Sequence, residues 1–454
     1  MGTPKHERQH IEQRREVLMQ RLEEQERDLA RLVERWSSKN VNLQPQIERR
    51  ENEREEQDMK VVRASIQQLR EEVSAMEAQL DVLNRQRTQI KVQIINAAQL
   101  VATTATAVCL NPALLRRDFD AVIIDEISMI PLVAVVLAVL RAKKRVMIAG
   151  DPMQLSPIVQ TERKQLEREL PELNTWVASD LLTYRKITIF DAIEQKKGCI
   201  LLTQQGRMHP TIMAPLNHFI YRGMLTSRPE THNAPPIGPY PQSPLIVVDS
   251  SRSQDSRIYK PDKHQARVNE HHAQVAVALV PQILASLPPR SPAADPAVPR
   301  IGILTPYQSQ VQLITQKARQ AGLLEHIHVG TVNSTQALEF EVVIFDTVEA
   351  PTRQIPGRTT KELRPFSFTF DTILDENGMA TQATRLLNVA HSRARYKLIY
   401  LAHVDHLHRY QPKNPENNKA KQRLLVELVD WTANEGLIYS DMILQPSRGE
   451  GETC

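Results

Sequence analysis

The first 97 residues of the chain carry the apolar spacing of long amphipathic helices. Between residues 59 and 83, apolar side chains recur at alternating steps of three and four, at Met59, Val62, Ile66, Leu69, Val73, Met76, Leu80 and Leu83. This is the heptad seam of a coiled coil. A weaker seam covers residues 18–36, and the polar segment 37–45 between the two seams indicates a turn.

Two arrangements fit this heptad pattern. An antiparallel hairpin within one chain is the simpler arrangement, and its second arm is about 70 Å long at the helical rise per residue. A parallel coiled coil of two chains is the alternative, because seam residues alone do not fix helix orientation. We expect the hairpin, acting as a stalk that runs directly into the following domain.

From residue 98 onward the pattern changes to short apolar runs separated by helical stretches. Five runs are continuous and rich in β-branched residues: 121–124, 145–148, 301–304, 342–345 and 398–401. Such runs are typical of parallel strands that are covered on both faces, so the sequence predicts an α/β fold. Beyond residue 412 we expect one amphipathic helix and a polar end. The predicted domains are residues 1–97, 98–195, 196–412 and 413–454.

Composition changes this picture only slightly. The 454 residues carry a net charge of +4, from 57 basic and 53 acidic side chains, which neither requires nor excludes a nucleic-acid partner. The three cysteines are far apart in the sequence, which indicates a reducing compartment. The N-terminus has no apolar secretory core, and the apolar run 130–140 is too short to span a bilayer. We therefore expect a soluble cytoplasmic or nuclear protein, neither secreted nor held in a membrane.

Candidate chemistry begins at Asp125 and Glu126, which directly follow the apolar run 121–124. A carboxylate at the carboxyl end of a buried parallel strand lies where α/β sheets bind ligands. In nucleotide hydrolases such an aspartate holds Mg²⁺, and the neighbouring acid orients or deprotonates water. The pair alone fits an ordinary loop at least as well, so its assignment depends on other segments of the chain.

Those other segments occur in a fixed order. They are Ala-Thr-Thr-Ala at 102–105, Gly-Asp-Pro-Met-Gln-Leu-Ser-Pro at 150–157, Gln-Gly-Arg-Met-His-Pro at 205–210, Thr-Pro-Tyr-Gln at 305–308, Gly-Thr-Val-Asn-Ser-Thr-Gln-Ala-Leu-Glu at 330–339 and Asn-Val-Ala-His-Ser-Arg-Ala-Arg at 388–395. The set resembles the motifs of superfamily 1 helicases, in the branch of the nonsense-mediated-decay and Okazaki-fragment-processing helicases. The resemblance extends over residues 98–405 and implies tandem RecA-like P-loop NTPase domains after the coiled-coil hairpin.

The resemblance implies roles for the matching residues of a nucleotide cleft, with ATP and Mg²⁺ as cofactors. Asp125 would coordinate Mg²⁺, and Glu126 would act on the attacking water. Gln154 would sense the γ-phosphate, while Arg207 and Arg393 would act as arginine fingers on the transferring phosphoryl group. Glu339 matches the acid that binds the ribose. The other residues of the implied nucleotide site are Asp151 and Gln336.

The same resemblance implies a single-stranded nucleic-acid partner, either DNA or RNA, that is held through its backbone. The matching residues are Thr104, Thr305 and Thr331, whose small hydroxyls contact phosphates without reading bases. Each threonine fits a helix cap or a strand position about as well. Translocation from 5′ to 3′ is implied by the resemblance alone.

The sequence departs from the family pattern at three points. The family has a tyrosine that stacks on adenine where this chain has Gly206, and it favours glycine where Ala337 stands. No Gly-Lys-Ser or Gly-Lys-Thr occurs in the chain, although a phosphate-binding loop needs both glycine and lysine. We therefore expect an incomplete first RecA-like domain with exposed apolar surface and strand edges. A second polypeptide would then supply the phosphate-binding loop.

Two hypotheses of different classes follow. The first is a fragment or subunit of an ATP-dependent nucleic-acid helicase or translocase. The second is a non-catalytic nucleic-acid-binding or coiled-coil interaction protein that keeps the helicase scaffold. The sequence immediately upstream of the first residue distinguishes them, because a glycine-rich loop with Gly-Lys-Thr there would support the motor.

Overall fold

The computed structural model describes residues 4–38, 45–157, 179–261, 266–290, 299–336, 338–354, 363–365, 370–411, 422–434 and 438–440. Ala337 and much of the predicted C-terminal segment therefore lie outside the described residues. The chain divides into two compact units, Met1–Asp118 and Phe119–Cys454. The finer domain limits that the sequence suggests stay predictions.

The first unit begins with two long helices, α1 (Pro4–Ser38) and α2 (Pro45–Ala97). Two ion pairs join them, Arg15 with Glu77 at 3.4 Å and Arg70 with Glu26 at 2.7 Å. The two helices run antiparallel, because the residue earlier in α1 (Arg15) pairs with the later residue of α2 (Glu77), and the later one in α1 (Glu26) pairs with the earlier one of α2 (Arg70). The buried apolar residues of the pair include Leu18, Met59, Ile66 and Val73. Its identification as a coiled-coil stalk stays a prediction.

Two short helices complete the first unit, α3 (Ala105–Leu110) and α4 (Pro112–Arg116). Both begin at a polar cap residue. The Thr104 hydroxyl accepts a hydrogen bond from the backbone N–H of Ala107 at 3.1 Å, and the Asn111 side chain accepts one from Ala113 at 3.0 Å. These caps satisfy backbone donors that the first turn of a helix leaves without partners.

The second unit opens with a pair of parallel strands, β1 (Phe119–Ile124) and β2 (Ala142–Ile148). The connection between the strands contains α5 (Leu132–Val139), which packs against Ile124 in a small core. Alternate residues of a strand point to opposite faces, and Ile123 and Met147 are 69% and 60% exposed. The strands themselves are confirmed, but the predicted cover on both faces is wrong for this pair. Within the described residues, no third strand joins it.

A larger parallel sheet forms the centre of the second unit. Short strand pairs precede or flank it: β3 (Gln204–Gln205) with β4 (Thr226–Ser227), and β6 (Ile258–Tyr259) with β7 (Val268–Asn269). The six strands of the sheet are, in spatial order, β12 (Ile438–Ser440), β5 (Leu245–Asp249), β11 (Ala394–Ala402), β10 (Phe340–Asp346), β8 (Ile301–Thr305) and β9 (Ile327–Thr331). All neighbouring pairs in it are parallel.

Helices cover both faces of the six-stranded sheet. Those in the described chain after α5 are α6 (Leu181–Tyr184), α7 (Ile189–Ile193), α8 (Pro210–Phe219), α9 (Glu270–Ser286), α10 (Gln308–Gln320), α11 (Gln382–Ser392), α12 (Val404–Arg409) and α13 (Leu424–Asn434). One core joins α8, α11 and α13 to strand residues such as Val343 and Phe345. The opposite core joins α9 and α10 to Val342 and Ile344. The predicted α/β fold with buried parallel strands is confirmed here.

None of the described helices combines the length and the apolar character that a membrane span needs. Beyond residue 412, the structure has α13, which is the predicted amphipathic helix. It also has β12, which pairs with β5 at the edge of the six-stranded sheet.

Candidate functional site

The carboxyl end of β1 carries Asp125 and Glu126, and both side chains are exposed. Glu126 has a φ of 52°, a left-handed backbone conformation, and its N–H donates to the Asp125 carboxylate at 2.9 Å. The chain then passes Gly150 at the end of β2, where a Cβ atom would lie only 2.6 Å from the Ile127 side chain. This close approach requires glycine and fixes the start of the segment 150–157 beside the two carboxylates.

The segment 150–157 is organised around Asp151. One carboxylate oxygen accepts from the backbone N–H of Met153 at 2.8 Å. The other accepts from the Tyr221 hydroxyl at 2.6 Å and from the Gln154 amide at 3.4 Å. Burial raises the pKa of Asp151, while the hydrogen bond from Tyr221 opposes that rise. Gln154 therefore lies in the same hydrogen-bonded group as Asp151.

Arg207 and Glu339 form an ion pair at 2.7 Å, although they lie far apart in the sequence. Arg207 stands in the loop after β3, and Glu339 stands directly before β10. Arg207 also donates to the backbone carbonyl of Ser392 at the end of α11, at 3.2 Å. The structure thus joins residues from three of the predicted motifs.

Arg393 follows α11 and is only 3% exposed. Its guanidinium donates to the carbonyls of Val389 and Leu338, each at 3.2 Å. The pKa of Arg393 is lowered to about 10, mainly by burial and also by the neighbouring charge of Arg207, while Glu126 and Glu339 oppose this shift. Glu126 from the first sheet is therefore close enough to act electrostatically on a cation of the second sheet.

One face of α11 contacts the segments that follow β2. Asn388 donates to the Met153 carbonyl at 3.0 Å. Arg385, one helical turn earlier, donates to the hydroxyl of Ser156 and to that of Thr183 at 3.3 Å, and lies 3.8 Å from the buried Asp180. Burial lowers the pKa of Arg385, and the charge of Asp180 opposes this. These contacts join the segments that follow β2 to α11, which packs on the six-stranded sheet.

The threonines at the ends of β8 and β9 are neighbours, because Thr305 and Thr331 are paired in the register of the two strands. Thr305 is fully buried, and its hydroxyl has no hydrogen-bond partner among the described residues. The Thr331 hydroxyl caps a short 3-10 helix by accepting from the N–H of Ser334 at 3.4 Å. Thr104 belongs to the first unit, where it caps α3.

Comparison with known proteins identifies the family. Two family models, both described as AAA domain, match residues 3–162 and 186–405. The chain is 27% identical over 328 residues to the DNA replication ATP-dependent helicase/nuclease DNA2 of Gallus gallus, covering 70% of this chain and 26% of that protein. The chain belongs to the superfamily 1 helicases. Within them it falls in the predicted branch of nonsense-mediated-decay and Okazaki-fragment-processing helicases.

Two further relatives agree with this assignment. A probable helicase of Dictyostelium discoideum is 27% identical over 282 residues, which cover 60% of this chain and 25% of the relative. The Regulator of nonsense transcripts 1 of the same organism is 24% identical over 331 residues, covering 70% and 21%. The chain therefore spans roughly a quarter of the length of these curated relatives.

Most of the residues predicted for the nucleotide site of a superfamily 1 helicase lie in three local groups. Asp125 and Glu126 stand at the end of β1, Asp151 and Gln154 share hydrogen bonds, and Arg207, Glu339 and Arg393 form one charged group. Gln336 lies on the loop before β10, and both polar atoms of its side chain are buried without a partner among the described residues. Whether these residues bind nucleotide stays a prediction.

The donor set of this helicase cleft fits a magnesium nucleotide. Arg207 Nε and both polar atoms of Gln336 are buried without partners in the described part of the chain. Leaving such an atom unpaired costs about 1–3 kcal/mol, so a polar ligand here would relieve the cost. No group of three or more metal-binding side chains occurs among the described residues. Mg²⁺ commonly binds through one or two carboxylates together with phosphate oxygens, and Asp125 can supply such an oxygen.

Three individual residues add to what the sequence indicates: Gly206, Arg385 and Tyr221. At Gly206, where the family has a stacking tyrosine, a Cβ atom would lie 3.1 Å from the Arg228 side chain. Sequence reasoning also missed Arg385 and Tyr221. The spacing of Arg385 and Asn388 places two polar residues on one helical face and could have indicated the first, but no sequence signal indicates Tyr221.

Proposed function

We propose that the chain is part of an ATP-dependent nucleic-acid helicase or translocase, in which the cleft between β1–β2 and the six-stranded sheet holds the phosphates of ATP. The observation that carries this proposal is the set of contacts that brings the motif segments together, in which Asn388 of α11 donates to the Met153 carbonyl at 3.0 Å and Arg207 pairs with Glu339 at 2.7 Å. Carboxylates on one wall and two arginines on the other provide the charges that phosphoryl transfer requires.

Each residue of the cleft has a role in this proposal. Asp125 would hold Mg²⁺, which neutralises part of the phosphate charge when bound. Glu126 would orient the attacking water, and Gln154 would contact the γ-phosphate. Arg207 would exchange its ion pair with Glu339 for the phosphate oxygens, while Arg393 would stabilise the transferring group from its buried position.

The bound polymer in this proposal is a single strand of DNA or RNA. Support comes from Thr331, which is only partly buried at the end of β9 and pairs in register with Thr305. Hydroxyls of this kind hold phosphates of any sequence. The family resemblance also predicts a backbone contact at Thr104, which caps α3 in the first unit. The proposal includes a cytoplasmic or nuclear location.

A further polypeptide segment would complete the first sheet. The support is the exposed apolar face of the β1–β2 pair, because Ile123 and Met147 would be covered by an added strand or helix. We propose that this segment also provides the phosphate-binding lysine, either from a longer form of the protein or from a second chain.

The helices α1 and α2 would form a coiled-coil stalk within one chain. The ion pairs Arg15–Glu77 and Glu26–Arg70 support this, because both join α1 to α2 of the same chain in an antiparallel arrangement and need no second copy. Light scattering at micromolar concentration tests this, with an expected mass of 51.7 kDa. A dimer that dissociates when Ile66 and Val73 are changed to Asp would refute the stalk.

Nucleotide binding tests the proposed cleft directly. Titration of a fluorescent ATP analogue with Mg²⁺, in the presence of a single-stranded oligonucleotide, would compare wild type, Arg207→Gln and Arg395→Gln. Arg395 is an exposed arginine near the cleft and serves as the matched control. We expect Arg207→Gln to weaken binding about tenfold through loss of a charged contact, and Arg395→Gln to leave it unchanged. Oligonucleotide binding without any nucleotide binding would favour the non-catalytic scaffold protein instead.

A further inference from the structure

Tyr221 lies just beyond α8 and belongs to none of the motifs, yet its hydroxyl joins three segments of the chain. It donates to the Asp151 carboxylate at 2.6 Å and accepts from the Asn388 amide at 2.8 Å. The residue is 8% exposed, and its ring lies in the larger core of the second unit. Burial raises the pKa of Tyr221 well above its usual value, and the charge of Asp151 adds to this. The hydroxyl therefore keeps its proton and remains a donor.

The carboxylate that Tyr221 holds is also bonded to Gln154. Both the tyrosine hydroxyl and the Gln154 amide donate to the same Asp151 oxygen, at 2.6 Å and 3.4 Å. That oxygen is thus a point of contact for the Gln154 side chain, through a long hydrogen bond. The second Asp151 oxygen accepts from Met153 and orders the backbone of the same segment.

The other side of the Tyr221 hydroxyl leads to α11. The Asn388 amide nitrogen donates both to Tyr221 and to the Met153 carbonyl, at 2.8 Å and 3.0 Å. The same helix ends at Ser392, directly before Arg393. Tyr221 thus contacts the segment with Gln154 and the helix that precedes Arg393.

We propose that Tyr221 is a positioning residue of the candidate cleft, whose hydroxyl orients Gln154 through Asp151 and ties that orientation to α11. The inference rests on the proposed function, because Gln154 is the residue proposed to contact the γ-phosphate. A different role, in which the ring only fills the core, would leave the hydroxyl unimportant. Tyr221→Phe separates the two, because it keeps the ring and removes only the hydroxyl.

A matched control exists in the same core. Tyr400 is 1% exposed, and its hydroxyl shares a hydrogen bond with His391 of α11 at 2.6 Å. Tyr400→Phe removes a comparably buried hydroxyl, but among the described residues this hydroxyl bonds to His391 and not to the segment 150–157. Any effect of lost core stability should therefore occur in both variants, while an effect on Gln154 should occur only in Tyr221→Phe.

Two measurements on the full chain test the proposal. The first compares affinities for Mg–ATP and Mg–ADP in wild type and both variants, with a single-stranded oligonucleotide present. We expect Tyr221→Phe to weaken ATP binding about tenfold while ADP binding stays within about twofold, since only ATP carries the γ-phosphate. Tyr400→Phe should leave the ratio of the two affinities unchanged. Equal ratios in all three proteins would overturn the positioning role.

The second measurement needs no nucleotide and keeps the two proposals distinguishable. Hydrogen exchange of the backbone amides in segment 150–157 should be about tenfold faster in Tyr221→Phe than in Tyr400→Phe. If wild type binds neither nucleotide, the proposed function fails while faster exchange still supports the positioning of Asp151 and Gln154. Exchange that is the same in both variants would overturn the inference whatever the nucleotide result.

Discussion

The two parallel sheets of the second unit have similar apolar strands but different surroundings. In the six-stranded sheet, Val343 and Ile399 are fully buried because helices pack on both faces. In the β1–β2 pair, Ile123 and Met147 remain mostly exposed. An apolar run therefore indicates a strand, whereas its cover depends on partners from elsewhere in the chain or beyond it.

This difference also divides the candidate cleft. Asp125 and Glu126 stand on the sparsely covered β1–β2 pair. Arg393 directly precedes β11 of the well-packed sheet, and Arg207, in the loop after β3, pairs with Glu339 directly before β10. The cations are thus held by a rigid core, and Arg393 is buried among backbone carbonyls. The carboxylates depend on a sheet with little packing of its own, so the two walls of the cleft should respond differently to mutation and to added partners.

The largest expected effect concerns turnover. We expect the 454-residue chain alone to show no nucleic-acid-stimulated ATP hydrolysis above that of its Glu126→Gln variant. The reason is that the β1–β2 wall carries no phosphate-binding lysine in a glycine-rich loop. A steady-state assay of released phosphate measures this. Turnover that disappears in Glu126→Gln would show that the first wall is sufficient as it stands.

Core truncation compares the packing of the two sheets. Ile399→Ala should lower the free energy of unfolding by about 3 kcal/mol, because the fully buried side chain leaves a cavity. Ile123→Ala should change it by about 0.5 kcal/mol or less, because the side chain is 69% exposed. Chemical denaturation measures both. Equal losses would mean that the exposed face of β1 is covered in solution, for example by a second copy.

Buried and exposed lysines extend the comparison to pH. Burial lowers the pKa of Lys397 on β11 from 10.5 to about 7, so the unfolded chain binds more protons than the folded chain between these values. The free energy of unfolding should therefore rise with pH, by about 1–2 kcal/mol between pH 7 and 8.5. Lys397→Met should remove this rise, whereas Lys144→Met on exposed β2 should keep it. Chemical denaturation at several pH values measures this. If the free energy of unfolding rises with pH in both variants, the account is contradicted.

Single-strand binding should show the smallest change on mutation. We expect affinity to fall about tenfold between 50 and 200 mM salt and to vary little with sequence, because backbone contacts release counterions without reading bases. Thr331→Ala should weaken binding about threefold, since it removes one neutral hydrogen bond. Filter binding at the two salt concentrations tests this. Affinity that does not change with salt, or a strict preference for one sequence, would argue against a helicase groove.

Composition and periodicity predict the central strands of the six-stranded sheet but not its edge strand β12. The runs in β8, β10 and β11 indicate buried strands because their β-branched residues need cover on both faces. The edge strand β12 is only three residues long, so it leaves no recognisable run. The exposure of β1 and β2 agrees with the incomplete first domain expected from the missing Gly-Lys-Ser or Gly-Lys-Thr segment. It does not follow from the strand residues themselves, because their composition is compatible with either environment.

The candidate site is predictable residue by residue but not as a set of contacts. Motif order indicates Arg207 and Glu339 separately, yet their ion pair depends on how two loops meet. Tyr221 is a stronger case, because its hydrogen bond to Asp151 joins residues 70 positions apart. Nothing in the local sequence distinguishes Tyr221 from an aromatic residue that follows an amphipathic helix and only packs in the core.

A crystal structure of the chain with Mg²⁺, a non-hydrolysable ATP analogue and a single-stranded oligonucleotide tests the central claim most directly. The account predicts phosphate oxygens within hydrogen-bond distance of Arg207 and Arg393, and Mg²⁺ beside Asp125. Arg207 should then have left Glu339, with which it pairs at 2.7 Å in the structure described above. A nucleotide bound elsewhere, or an intact Arg207–Glu339 pair at saturating nucleotide, would contradict the proposed cleft.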